Sequence, residues 1–188
     1  LVRLEQFGID IIWVRNNPYA VKKLIPVIEQ YADLGVVPLD DDIMYHPSVL
    51  EGLVDGVNSN PEAVIGYVGK AMLRNAEELH MYYREPKSAS SVTPSEQVYL
   101  IGWGGIYYPP GSLDKRVLNM DAVHRIVPGR CSDIWFWAAA HAANTRQVCL
   151  GMPQSYNLGI PIHLNKKTKP KDLPGTDVML DRFQMAID

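Results

Sequence analysis

The feature that most constrains this chain is a short apolar run, Val36-Val37-Pro38-Leu39, that ends directly in three consecutive aspartates, Asp40-Asp41-Asp42. Neighbouring carboxylates repel one another and raise one another's pKa values unless a cation is near. A chain that sets three of them at the end of a buried strand calls for positive charge at that point. Hard divalent ions such as Mg2+ or Mn2+ prefer oxygen ligands, and often use one or two carboxylates plus phosphate oxygens. In an extended segment alternate side chains share a face, so Asp40 and Asp42 would point one way and Asp41 the other. The alternative is a solvated acidic turn that caps the next helix. The position after an apolar strand and before Ile43–Tyr45 favours a D-x-D pair facing a metal-bound diphosphate.

The rest of the chain alternates in a way that fits this. Ile9–Val14 is β-branched and aromatic and reads as a buried strand. Tyr19–Tyr31 has apolar residues at helical spacing, with Pro26 starting or kinking a turn, and Gly35 closes that helix. Val36–Leu39 reads as a strand, Pro47–Asn58 as an amphipathic helix and Ala63–Val68 as a strand. The stretch from Lys70 to Glu96 is polar and irregular, with Ser88–Ser91 a mobile loop. Val98–Ile101 and Ile106–Tyr108 are strand-like, Ser132–Ala143 is a strong helix, and Gln147–Leu150 is a strand. Gly151–Pro174 is loop-rich, and Thr176–Ile187 reads as a closing helix. The pattern predicts one α/β domain over residues 1–188 with a mainly parallel sheet flanked by helices. Ligands of such sheets bind at the carboxyl ends of strands, where Asp40–Asp42 fall.

Three further segments carry chemistry. Gly102-Trp103-Gly104-Gly105 sets three glycines in four positions, which lets backbone approach a ligand closely, and Trp103 and Tyr107 can stack on a sugar ring. A hairpin whose glycines only solve backbone geometry is the simpler alternative. No Lys-Ser/Thr follows, so this is not a phosphate-binding glycine loop. Asp133 opens the helix after Ser132, where an acidic side chain favours the helix terminus or serves as a general base; spacing leaves the two readings level. Lys22-Lys23 and the Lys166–Lys171 cluster can neutralise phosphate or form a solvated surface. His163 can lend a nitrogen to a metal or be an ordinary loop residue. His141 reads as a packed core histidine.

Bulk properties close off other classes. A net charge of −3 over 188 residues gives no basic field, so no nucleic-acid partner is expected. No apolar run reaches the roughly 18–20 residues of a spanning helix. No secretory leader pattern opens the sequence. Two cysteines, Cys131 and Cys149, are too few for a disulfide framework, and a reduced, cytoplasmic setting follows. Neither has a companion motif for nucleophilic catalysis, and no Gly-x-Ser-x-Gly elbow is present.

Taken together, Pro18–Pro26, Val36–Tyr45, Gly102–Gly111 and Ser132–Trp135 resemble a family of bacterial GT-A-type glycosyltransferases that build surface polysaccharides. The resemblance runs from about Leu4 to the closing helix. It implies a GT-A-like sheet and transfer of a sugar from a nucleotide-diphosphate sugar donor to a saccharide or other hydroxyl acceptor. It implies Mn2+ or Mg2+ as cofactor, held by Asp40 and Asp42; His163, from the reading of the histidines above, is the candidate further ligand. Asp41 matches a position facing the donor ribose or sugar, Gly104 and Gly105 match the loop lining the donor sugar and acceptor, beside the candidate stacking residue Trp103, and Lys23 matches a lysine in contact with phosphate. Asp133 matches the catalytic base of inverting members. The expected location is cytoplasmic, including the inner face of the membrane. Two departures stand out. The family pattern has two acids where this chain has Ser132-Asp133, and the first strand–helix unit that holds the nucleotide base is expected to be missing ahead of Ile9–Val14. The rival expectations are a metal-dependent nucleotidyl- or phosphoryl-transfer enzyme, and a non-catalytic carbohydrate-binding remnant of the fold.

Overall fold

The computed structural model describes residues 2–15, 19–74, 79–81, 91–127 and 132–162. In chain order the elements are α1 (Val2–Glu5), a 3-10 turn at Tyr19–Lys23, α2 (Ile25–Gln30), β1 (Ile43–Tyr45), α3 (Ser48–Ser59), β2 (Val64–Gly66), β3 (Gly69–Arg74) and β4 (Leu79–Met81). They continue with β5 (Ser91–Ser95), β6 (Val98–Leu100), 3-10 turns at Gly102–Gly104 and Lys115–Leu118 that flank β7 (Ile106–Tyr107), α4 (Met120–Ile126), α5 (Ser132–Ala142), β8 (Gln147–Cys149) and β9 (Gly159–Pro161).

The central sheet has the order β5-β8-β2-β7, beside a three-stranded β4-β3-β6 sheet and a β1-β9 pair. β2 is buried along its whole length, and its successive side chains face opposite sides. Val64 joins the cluster around α5, whereas Ile65 joins the cluster around α3. β8 divides the same way, with Cys149 toward α5 and Val148 toward α3. A strand covered on both faces reads as an unbroken apolar run, as β2 and β8 do. α3 is amphipathic and turns Val49, Leu53 and Gly56 inward. α5 is apolar nearly all round and is buried from Ile134 to Ala140, as expected of an interior helix. Its two indoles each find an acceptor: Trp135 Nε1 donates to Val117 O at 2.9 Å and Trp137 Nε1 to Val98 O at 3.0 Å.

The protein is a mixed α/β chain, and the sheet corrects the expectation of a mainly parallel one. Among the described residues only β2 and β8 run parallel, and the other pairings are antiparallel. The physical reason lies in the connections. A parallel neighbour needs a long crossover, and the connection from β2 to β8 supplies one that contains helices α4 and α5.

Other elements also differ from expectation. Ile9–Val14 forms no strand, and Trp13 is 76% exposed. β-propensity needs a neighbouring strand and a surface to pack on, and none of the described strands pairs with this segment. Val36–Leu39 is reduced to one antiparallel bridge between Val36 and Tyr108, because Pro38 has no N–H to extend a ladder. The polar 70–96 stretch contains β3, β4 and β5 rather than irregular chain alone. β1, β9 and α4 were not legible from periodicity. α4 is set by Asn119, whose side chain accepts the Ala122 N–H at 3.0 Å, an N-cap bond. The Tyr19–Tyr31 helix divides into the 3-10 turn and α2, with Pro26 in the first turn of α2, where a missing N–H costs nothing. His141 is half-buried and stacks on Trp137. Thr176–Ile187, Ser88, His163, Cys131 and Lys166–Lys171 lie outside the described residues.

Candidate functional site

Four chain segments meet at one ammonium group. Lys23 ends the 3-10 turn, and its neighbours Val21, Leu24 and Ile25 are core residues that fix the backbone beneath it. Its Nζ lies 3.2 Å from Asp40 Oδ1 and 3.8 Å from Asp133 Oδ1. The three side chains are 23%, 31% and 21% exposed in the order Lys23, Asp40, Asp133. This places them at the rim of the core, where an ion pair contributes about 1 kcal/mol.

Asp133 is held from three sides. Its Oδ2 accepts the Gly102 N–H at 2.9 Å, and its Oδ1 accepts from Ser132 Oγ at 3.4 Å and faces Lys23. Gly102 is a glycine because of this approach: a Cβ there would lie 2.7 Å from Asp133 Oδ1 and 2.9 Å from Lys23 Nζ. Three residues on, Gly105 has φ +83°, a conformation that L side chains rarely adopt, which turns the chain into β7. Gly104 and Gly105 are buried, while Trp103 stays 39% exposed.

The aspartate segment is a turn rather than an extended strand end. Even so, Asp40 and Asp42 are half-buried and Asp41 is exposed. The residue that organises the turn is Tyr45, which the sequence pattern does not single out from its neighbours. Its hydroxyl accepts the Asp40 N–H at 3.0 Å and donates to Trp103 O at 3.0 Å, so one phenol ties the aspartate turn to the glycine turn. Burial pushes the Tyr45 phenol above its usual pKa; the Asp40 N–H draws it down, and the charges of Asp40 and Asp42 add to the rise. Behind the site Tyr108 is raised well above the usual tyrosine value, first by burial and then by the charge of Asp133. A signal for Tyr45 was present: an aromatic side chain three residues past the last aspartate, on a strand too short to be held by its ladder alone.

The donor chemistry of Asp40 and Asp42 suits Mg2+ or Mn2+. Among the described residues no group of three or more His, Cys, Asp or Glu side chains gathers at one point, so an ion here would draw further ligands from phosphate oxygens or water. The Asp42 carbonyl accepts the N–H of Ile162 at 2.7 Å, which brings the strand β9 beside the aspartate turn. Ile162 is the residue before His163.

Fold and site together define a mixed α/β protein with a lysine-bridged carboxylate pair at the meeting of two loops. No family model, curated protein or solved structure matches the chain. Among the described residues no helix is long and apolar enough to cross a membrane.

Proposed function

We propose that the chain is a GT-A-type glycosyltransferase domain that moves a sugar from a nucleotide-diphosphate sugar to a hydroxyl acceptor with Mn2+ or Mg2+. One observation carries this reading. The segments around Lys23, Asp40, Gly102 and Asp133 are up to 110 residues apart in sequence, and their side chains and backbone meet within one cluster of hydrogen bonds and ion pairs. A solvated acidic turn and an ordinary hairpin would have no reason to share a lysine and a carboxylate.

In this reading Asp40 and Asp42 hold the divalent ion, with His163 as a further ligand. Its neighbour Ile162 bonds to Asp42. The bound ion would offset charge on the departing diphosphate as a Lewis acid. Asp41, exposed at the tip of the turn, faces the donor ribose or sugar, and Trp103 offers its half-open ring to the sugar beside the Gly104-Gly105 turn. Lys23 stands next to the diphosphate. Asp133 takes the proton of the acceptor hydroxyl as the new bond to the anomeric carbon forms and the bond to the diphosphate oxygen breaks, a general-base role. For that, Oδ1 must give up its contact with Ser132 or Lys23. The proposed setting is cytoplasmic, including the inner face of a membrane, with no nucleic-acid partner.

The test is donor hydrolysis and transfer with a panel of UDP-, GDP- and dTDP-sugars, with and without Mn2+, in wild type and Asp42→Ala. Metal-dependent turnover in wild type that Asp42→Ala abolishes is the expected result. Equal, metal-independent activity in both overturns the reading. The partners already on both oxygens of Asp133 favour one alternative, a carbohydrate-binding remnant in which Asp133 only clamps the glycine turn. Calorimetric binding of UDP plus Mn2+ without turnover of any donor would select it.

A further inference from the structure

We infer that Lys23 is the resident cation of this site, a positioning residue whose ammonium a divalent ion must displace from Asp40 in order to bind. The inference rests on the metal part of the proposed function and adds its control element. The geometry points to it in three ways. First, the ammonium is 3.2 Å from Asp40 Oδ1, so it occupies space on the same carboxylate that an ion would take. Second, the same group lies 3.8 Å from Asp133 Oδ1, so it joins the aspartate turn to the start of α5. Third, the cluster is packed against the backbone of Gly102, where a Cβ would lie 2.9 Å from the ammonium. The lysine is therefore confined by its surroundings rather than swinging freely in solvent. Its backbone is anchored by the buried Val21, Leu24 and Ile25 on either side.

The electrostatic consequence is direct. With Lys23 in place Asp40 has a monovalent partner and needs no ion to be tolerated at the rim of the core. A divalent ion then exchanges for the ammonium instead of filling an uncompensated acidic site. Once released from Asp40, Lys23 keeps its place near Asp133 and is available to an anionic group of the substrate. Binding of the ion alone is thus opposed, and binding together with an anion that takes up the lysine is favoured.

The experiment is titration of the protein with Mn2+, read as loss of the free-ion paramagnetic resonance signal. The variants are wild type, Lys23→Met, Lys23→Gln, Lys23→Arg, Asp42→Ala and Lys22→Met. A pair of this exposure corresponds to about a fivefold change in affinity. Lys23→Met and Lys23→Gln are expected to bind Mn2+ about fivefold more tightly than wild type. Lys23→Arg, which keeps the charge, is expected to restore wild-type affinity. Lys22→Met removes a neighbouring exposed charge and reports the general field alone; it is expected to stay at wild-type affinity. Thermal midpoints of all six establish that they fold, and Lys23→Gln serves if Lys23→Met does not. Unchanged or weaker binding in both neutral variants, with Asp42→Ala still abolishing binding, overturns the inference and leaves the metal reading standing. Tightening by Lys22→Met as large as by Lys23→Met also overturns it, because the effect would then be one of general field. Absence of Mn2+ binding in wild type and in both neutral Lys23 variants overturns the inference and the metal reading together.

Discussion

Replacing Gly102 by alanine tests whether the Lys23–Asp40–Asp133 cluster is a packed unit. The backbone of Gly102 is not in the left-handed region, so alanine brings no intrinsic strain. By the unfolded-state argument alone it would stabilise the protein by about 0.4–1 kcal/mol. Against that, the new methyl would lie 2.7 Å from Asp133 Oδ1 and 2.9 Å from Lys23 Nζ, closer than van der Waals contact allows. Overpacking of this kind costs about 1–3 kcal/mol. If the carboxylate moves away, the Gly102 N–H to Oδ2 bond at 2.9 Å goes with it, and hydrogen bonds to charged groups contribute about 1.5–3 kcal/mol. The terms overlap, since moving the carboxylate relieves the clash. A net loss of about 2 kcal/mol is expected. The assay is urea unfolding of wild type, Gly102→Ala, Asp133→Ala and the double variant, with the slope checked for constancy. In the Asp133→Ala background the methyl loses its main obstacle, so the second substitution should be nearly neutral and the coupling about 1–2 kcal/mol. A Gly102→Ala variant as stable as wild type, or two substitutions that add within about 0.3 kcal/mol, would refute the packing argument.

Two further outcomes follow from named contacts. Tyr45→Phe removes the hydroxyl that accepts from Asp40 N and donates to Trp103 O; since water can partly replace it, a loss of about 1 kcal/mol is expected, with faster exchange of the Asp40 amide proton, and unchanged exchange would count against its bridging role. In alkali, Tyr67 and Tyr108 stay protonated in the folded chain beyond the ordinary tyrosine value, chiefly through burial, while the unfolded chain releases those protons near pH 10. The unfolded state then binds fewer protons, so stability is full below about pH 10 and falls as pH rises above it; Tyr67→Phe should flatten that fall in denaturant titrations, and an unchanged slope would show that Tyr67 ionises normally.

The α/β class, the interior helix Ser132–Ala142, the amphipathic Ser48–Ser59 helix and the buried strands around Val64 and Val148 follow from the sequence, because burial leaves an apolar signature whose period depends on local geometry alone. The same holds for which residues were worth watching: Lys23, Asp40, Gly102 and Asp133 stand in motifs whose composition is unusual in itself. Strand direction was not legible, since an apolar run reads alike whichever way its neighbour points. Nor was the fate of Ile9–Val14, a β-branched run that makes a strand only where another strand pairs with its backbone N–H and C=O groups. Partnership was the other thing left to tertiary structure. That one ammonium lies between Asp40 and Asp133, and that the phenol of Tyr45 reaches Trp103, 58 residues away, depend on distances across the fold. The sequence by itself determines which groups carry charge and which must be buried. Only the folded chain decides which charge faces which, because Coulomb energy and hydrogen bonds depend on a few ångströms of separation that no local pattern encodes.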